Sequence, residues 1–341
     1  MVQEAGINQE RIEKHKLLFR FRETGVYLIN NRALSLFVLI FFICIGMSIF
    51  YNDYFLSFTN FSAIFLSLSV EGILSIGMMF LIVSGVFDLS VGSAVAVGGA
   101  VAALLMKRVG LPVPVAIMGG IAACSTAGLI NGFFVAVVGV NALIATLAML
   151  GILRGVAILI AGAGIVALPE SFLFLGQHTV LGIQMPVFYM IILVVFFAFV
   201  LKRTRYFRQL YFIGGNARAA VLSGINVKRT QLVNFILMGT LSGITGCIIS
   251  SRLNAAIGTI GTGIELRVIT AVIIGGGSLS GGRGTVAGAF MGALFMGLLN
   301  NVMVIAGVNV YFQSIVIGCV LLAAVSLDVL MRNRYGLRSA Q

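Results

Sequence analysis

Charge is scarce in this chain. Of 341 residues only 9% are Asp, Glu, Lys or Arg, while 60% are hydrophobic; soluble domains carry about 25% charged residues. That balance excludes a soluble globular domain and leaves a polytopic membrane protein. Tryptophan is absent, and ten acids face twenty-two basic residues. The resulting net charge of +12 would suit a nucleic-acid binder. The bases, however, cluster at the ends of apolar segments and form no basic-aromatic stripe, so nucleic acid is not an expected partner. Two histidines, His15 and His178, and four scattered cysteines (Cys44, Cys124, Cys247, Cys319) cannot assemble a His/Cys metal cluster. Each cysteine lies in an apolar segment and reads as a small buried hydrophobe. No Gly-Lys dipeptide occurs, so there is no P-loop; the run Gly277 to Gly284 imitates one, with Arg283 in the lysine position, and reads as a cytoplasmic Gly-rich turn. Neither a zinc-protease motif nor a nucleophile–histidine pair is present. The chain is therefore expected to be no enzyme and to hold no cofactor of its own.

What is present is a series of apolar runs. A spanning helix needs about 20 apolar residues, and ten spans are expected, at about 33–50, 60–83, 89–106, 114–138, 142–161, 187–201, 231–250, 266–277, 285–304 and 311–330. The fold class is all-α, with both termini cytoplasmic. Glycine interrupts spans 2–3 and 8–9, and span 8 is short, so broken or re-entrant helices are expected there. Residues 1–32 form a cytoplasmic tail in which Leu17, Leu18, Phe19 and Phe21 alternate with basic residues; an interfacial helix against the lipid and a disordered tail are both open. No small-residue cleavage site follows the first run, which is expected to remain as an anchor. Residues 331–341 form the cytoplasmic C-terminal tail.

The charges orient this path. Residues 202–229 carry seven basic side chains (Lys202, Arg203, Arg205, Arg208, Arg218, Lys228, Arg229) and no acid. A centred Arg or Lys costs roughly 2.5–3.5 kcal/mol even on insertion scales, so this stretch is a loop in water, on the cytoplasmic side. The N-terminal tail, Arg283 and the C-terminal arginines fall on that side too; Lys107-Arg108 is the clearest exception. Small residues recur at every fourth position (Gly92, Ala96, Ala100; Gly128, Gly132; Gly239, Gly243; Gly284, Gly288, Gly292), a pattern that lets helices pack closely. Gly-Val-Asn precedes a span at 139–141 and again at 307–309, which raises an internal repeat without establishing it.

Ionisable groups at membrane depth usually face a cavity or one another. Glu71 lies mid-way along span 2 and Arg154 deep in span 5, while Glu265 and Arg267 flank the start of span 8. Glu71 and Arg154 form either an ion pair or part of a polar path for a hydroxyl-rich solute. Asp88, followed by Ser90 and Gly92, is expected to accept backbone N–H groups where a helix opens. Asn141 opens span 5. Glu71, Asp88, Ser90, Gly92, Asn141 and Arg154 are thus the candidate translocation-path or gating residues. A proton-coupled secondary transporter using Glu71 or Asp88 is the rival reading.

Several motifs, in order over most of the chain, resemble a known family. They are Phe87-Asp88-Leu89-Ser90-Val91-Gly92-Ser93, Ala145-Thr146-Leu147 with Arg154-Gly155, Gly214-Gly215-Asn216 through Ser223-Gly224-Ile225-Asn226-Val227, and Ile274-Gly275-Gly276 through Gly281-Gly282. They are similar to the permease subunits of bacterial ABC importers for ribose and related monosaccharides. The resemblance implies an inner-membrane protein that pairs with a second permease copy or a sister permease. It further implies a cytoplasmic ATPase that binds ATP and Mg, and a periplasmic sugar-binding protein. ATPase coupling is then expected at Gly214, Gly215, Asn216, Arg218, Ala219, Ala220 and Gly224. In the wider ABC permease pattern a cytoplasmic helix carries Glu-Ala-Ala, three residues, then Gly; here Arg218-Ala219-Ala220 stands at that spacing from Gly224, and the later Ile-x-Leu-Pro is missing. A glutamate-specific salt bridge to the ATPase is therefore ruled out, and Arg218 needs an acidic or carbonyl partner.

Overall fold

The computed structural model describes residues 32–334; the tail 1–31 and the last seven residues, with the expectations placed on them, lie outside it. Fourteen helices are present among the described residues: α1 (Arg32–Phe50), α2 (Asn52–Phe55), α3 (Phe58–Val83), α4 (Val91–Lys107), α5 (Val113–Gly132), α6 (Ala142–Ala161), α7 (Glu170–Gln177), α8 (Met185–Arg203), α9 (Arg205–Gly215), α10 (Ala217–Leu222), α11 (Val227–Leu253), α12 (Ile264–Ile274), α13 (Val286–Ile305) and α14 (Val310–Arg334). A π-helical turn, Phe133–Val138, extends α5. Four two-residue strands pair as β1 (Ile165–Val166) with β4 (Ala255–Ala256) and β2 (Thr179–Val180) with β3 (Ile183–Gln184).

Among the described residues, seven helices are long and apolar enough to cross a membrane: α3, α5 with its π turn, α6, α8, α11, α13 and α14 as far as Leu330. The expected ten are reached only by adding two shorter apolar helices, Leu34–Phe50 and α4, and the eleven residues of α12. At 1.5 Å per residue α12 spans about 16 Å, half of a ~30 Å hydrocarbon core, so it is a half-span. Span 2, by contrast, is one unbroken helix of 26 residues; its interruption falls after Val83.

Helix α3 is the axis. Apart from Glu71 and a few small hydroxyl side chains, its buried part is apolar all round, as a helix surrounded by protein must be, and every residue from Leu68 to Val83 is buried. Helix α14 is the opposite case, with only 6% of its spanning window buried; that face is left for lipid or another chain. Where α5 meets α11 the predicted small residues make the contact: a Cβ on Gly128 would strike the Phe235 carbonyl oxygen, and one on Gly239 the Cys124 carbonyl. Gly288 and Gly292 likewise seat α13 on Gly275, just past the end of α12, and on Ala271 within it. Such contacts stand in for a hydrophobic drive that is absent between helices in lipid. Gly284 departs from the predicted stripe, lying in the turn before α13. The four cysteines are free thiols, with Cys124 and Cys247 buried and Cys319 exposed.

The repeat is real. Helices α3–α6 and α11–α14 follow one order: a long helix, a shorter one, a long one ending at Gly-Val-Asn, and another long one. Both motifs are built alike. Gly139 and Gly307 take φ of +90° and +68°, and each Asn accepts a backbone N–H two residues on, from Leu143 to Asn141 Oδ1 and from Tyr311 to Asn309 Oδ1, both at 2.9 Å. Because α3 runs towards the basic loop and α11 away from it, the two units are inverted.

Candidate translocation and coupling sites

The inverted repeat brings the two interrupted helices together. After α3 the chain turns back at Ser84–Ser90 to start α4; after α11 it turns back at residues 254–263 to start α12. Gly92, in the first turn of α4, meets Gly261 backbone to backbone. A Cβ on Gly92 would overlap the Gly261 carbonyl oxygen and the Glu265 carboxylate, and one on Gly261 would stand 2.5 Å from the Gly92 oxygen. Two helix N-termini, each partially positive, therefore face one region. Glu265, in the first turn of α12, supplies the compensating charge and accepts the Gly263 N–H at 3.2 Å.

Arg154 does not pair with Glu71. Its Nη1 donates to the carbonyls of Gly258 (2.7 Å) and Ile260 (2.9 Å), clamping α6 onto the re-entrant segment, and it interacts electrostatically with Glu265. Glu71, the fourteenth of the 26 residues of α3, pairs instead with Arg267, Nε to Oε1 at 2.9 Å. The helix explains the division: residues two apart lie on nearly opposite faces, so Glu265 looks towards α4 and Arg267 towards α3. Among the described residues, Glu71 Oε2 and Glu265 Oε2 are buried oxygens without a hydrogen-bond partner. Two carboxylates and two guanidinium groups thus gather where the broken helices cross.

Asp88 acts locally at the start of α4, but not as a cap: it bonds the N-cap residue Ser90 instead of the N–H groups of the first helical turn, which no side chain among the described residues caps. Its Oδ1 accepts the backbone N–H (2.8 Å) and hydroxyl (2.6 Å) of Ser90, one residue before α4 begins. Asn131 at the end of α5 donates to Asp88 Oδ2 (3.3 Å) and to Ser90 Oγ (2.9 Å), tying the turn to the helix that continues into the π turn. Asn141 is exposed and caps α6, so its hydrogen bond stays local. Sequence reasoning noted Glu265 and Arg267 without assigning them partners, and missed Gly261 and Asn131. The available signal was Gly-Thr-Gly-Ile-Glu ahead of a run too short to span: left-handed glycines followed by an acid in the first helical turn.

The outer end is stitched to this crossing. Strand β1 pairs with β4 beside the re-entrant segment. Ser251 Oγ donates to the Phe172 carbonyl (2.7 Å) and accepts the Gly176 N–H (2.8 Å), while Asn254 Oδ1 accepts the Leu168 N–H (2.8 Å).

At the basic end, α9 rests directly on α3, and α10 packs against α9 and α11. Phe207 packs on Phe80 with ring centroids 4.5 Å apart. Gly214 lies so close that a Cβ would meet the Val83 carbonyl and the Gly282 nitrogen. The Gly282 N–H donates to that same Val83 oxygen (2.8 Å), and Tyr211 donates to the Gly284 carbonyl (2.8 Å). The imitation P-loop is thus a turn onto which α9 docks. Asn216 caps α10, accepting the Ala219 N–H at 3.0 Å. Ala220 is buried, whereas Gly215, Arg218 and Ala219 are exposed, and Gly224 turns the chain at φ +80°. Val221 and Leu222 project outward, Leu222 at 89% exposure.

Comparison with known proteins supplies the family. The sequence model described as "Branched-chain amino acid transport system / permease component" matches residues 60–325. The chain is 35% identical over 312 residues to the L-arabinose ABC transporter permease protein of Azospirillum brasilense, covering 91% of each. It is 37% identical over 314 residues to the ribose import permease protein of Haemophilus influenzae, covering 90% of this chain and 95% of that one. To the D-allose transport system permease protein of Escherichia coli K12 it is 36% identical over 280 residues, covering 82% and 86%. With its long apolar helices and its match along most of their length, the chain belongs to this family of membrane permease components.

Proposed function

We propose that this chain is the membrane-spanning subunit of an ABC importer for a monosaccharide, in the bacterial cytoplasmic membrane. A separate cytoplasmic ATPase, with ATP and Mg, drives it, and a periplasmic binding protein delivers the sugar. The observation that carries the substrate class is the similarity to permeases named for arabinose, ribose and allose over 80–91% of the chain. A path with hydrogen-bonding groups and few free charges suits a neutral polyhydroxylated solute. Glu71 and Arg267 neutralise each other, as do Glu265 and Arg154 in part, so the crossing of α4 and α12 offers polar atoms at low net charge.

Coupling follows from mechanical contact. Closure of an ATPase dimer would press on α10, whose partner α9 bears on Val83 and on the Gly-rich turn, at the cytoplasmic ends of α3 and α12. Motion there reaches the crossing through α12 and the Arg154 clamp. Arg218, exposed and one turn from Leu222, is placed to meet an acidic or carbonyl group on the ATPase. Two copies of the chain, or this chain and a sister permease, would enclose the path.

The test is uptake into proteoliposomes holding the permease, its ATPase and its binding protein. ATP-dependent accumulation of ribose, arabinose or allose is expected. Accumulation of leucine instead would move the substrate class to that named in the family description, and uptake driven by a proton gradient without ATPase would overturn the importer reading.

A further inference from the structure

A cleft of about 710 Å³ opens at the cytoplasmic end between α8, α9 and α11. It lies apart from the helix crossing and borders the coupling loop, since Gly224 and Asn226 also line it. Its wall on α11 carries a stripe in which Arg229, Val233 and Leu237 follow at four-residue intervals, hence on one helix face, with Thr230 beside Arg229. From the cation to Leu237 the stripe descends about 12 Å at 1.5 Å per residue, from the level of the basic loop into the spanning part of the helix. Phe197 of α8 and Phe207 and Gln209 of α9 also line it, and Tyr206 of α9 lies beside the Arg229 end, donating to the Thr230 carbonyl. One end of the cleft is thus cationic and hydrogen-bonding, and the other apolar.

We propose that this cleft is a binding site for an anionic phospholipid of the cytoplasmic leaflet, with its phosphate at Arg229 and an acyl chain along Val233 and Leu237. Charge complementarity selects this occupant. The surrounding loop carries seven bases and no acid, and among the described residues no carboxylate pairs with Arg229. The chain's own N-terminal tail, with six bases against four acids, would bring net positive charge to a positive rim, and a second copy would bring the same basic loop. Only a ligand that is anionic at one end and apolar at the other satisfies both. The size is within the range of small-molecule sites, about 300–1,000 Å³, room for a headgroup and part of an acyl chain. A lipid held there would brace α9, and with it the coupling helices, against α11.

The absence of tryptophan makes a direct test available. Val233→Trp, or Leu237→Trp should the first fail to fold, places one fluorophore in the cleft of the full chain. Its quenching is compared in vesicles of brominated phosphatidylglycerol and brominated phosphatidylcholine. The preference expected for phosphatidylglycerol is about fivefold, the effect of one basic residue near the surface. Arg229→Gln should abolish it, whereas Lys228→Gln, with equal charge loss outside the cleft, should leave it in place. Inorganic phosphate should not compete; competition would mark a soluble-anion site and overturn the lipid assignment. Equal loss in both charge variants would reduce the effect to general surface attraction. Absence of quenching by either lipid would show the cleft filled by protein, and either result overturns the proposal.

Discussion

Glu71 and Arg267 form an ion pair at 2.9 Å between the buried axis helix and the first turns of a half-span. The pair joins the most buried of the long helices, α3, to the one whose start is set by a re-entrant chain. Glu71 is 3% exposed and Arg267 26%, so removing either leaves a charge without its partner. In a fully buried pair that costs about 3–5 kcal/mol; with Arg267 partly open, about 2–3 kcal/mol is expected for Glu71→Gln. The doubly neutral Glu71→Gln/Arg267→Gln should recover much of the loss, while Arg154→Ala should add to Glu71→Gln independently, which thermal unfolding of the four variants will measure.

The Gly92–Gly261 crossing admits no side chain. Gly92→Ala would meet backbone and carboxylate together, and Gly261→Ala adds a left-handed φ of +79° to its clash. Each is expected to destabilise by at least about 1–3 kcal/mol, the range for overpacking, and to stop uptake. Gly151→Ala, in open space on α6, should instead be neutral or stabilising by about 0.5–1 kcal/mol. Thermal midpoints and transport assays on the three variants separate crowding from a general effect of replacing glycine.

Leu222 touches little of its own chain. Leu222→Asp should leave the thermal midpoint within about 0.5 kcal/mol, as surface changes do, while weakening capture of the ATPase in a pull-down at least tenfold and abolishing ATP-driven uptake. Full ATPase binding by the variant would move the docking surface off α10. Gly224→Pro, by contrast, needs φ near −65° where the chain has +80°, and should break the loop itself.

Burial pushes the Tyr206 phenol up to about 12, against a smaller opposing effect of Arg229, and the phenol donates to the Thr230 carbonyl at 3.0 Å. The unfolded chain ionises near pH 10, so the unfolded state sheds this proton first. Stability is intact below pH 10 and falls as pH rises towards 12. Tyr206→Phe should flatten that part of the alkaline unfolding profile, and an unchanged slope would assign the loss to other groups.

Much of the fold could be read from one dimension because its causes are local. The helix expected at 142–161 has those limits because Asn141 caps it and Gly162 ends it. Span 2 likewise ends at Val83 as expected. The partner of Glu71 was not local. Arg154 and Arg267 both interrupt apolar runs, and nothing in composition or spacing chooses between them. The choice is made by the return of residues 254–263 into the protein, which spends the Arg154 guanidinium on two carbonyls and leaves Arg267 facing α3.

What the sequence by itself determined was the solvent of each segment and the direction of the chain. Transfer of apolar runs into lipid and exclusion of the seven bases of 202–229 from it are properties of residue type, summed along the chain. What only tertiary structure decided was which polar groups meet inside. The inverted repeat carries Gly92 to Gly261 across 169 positions of sequence, and only the close approach of two backbones without side chains lets the start of α12 reach α4. Such contacts depend on how helices cross, and no local pattern encodes a crossing.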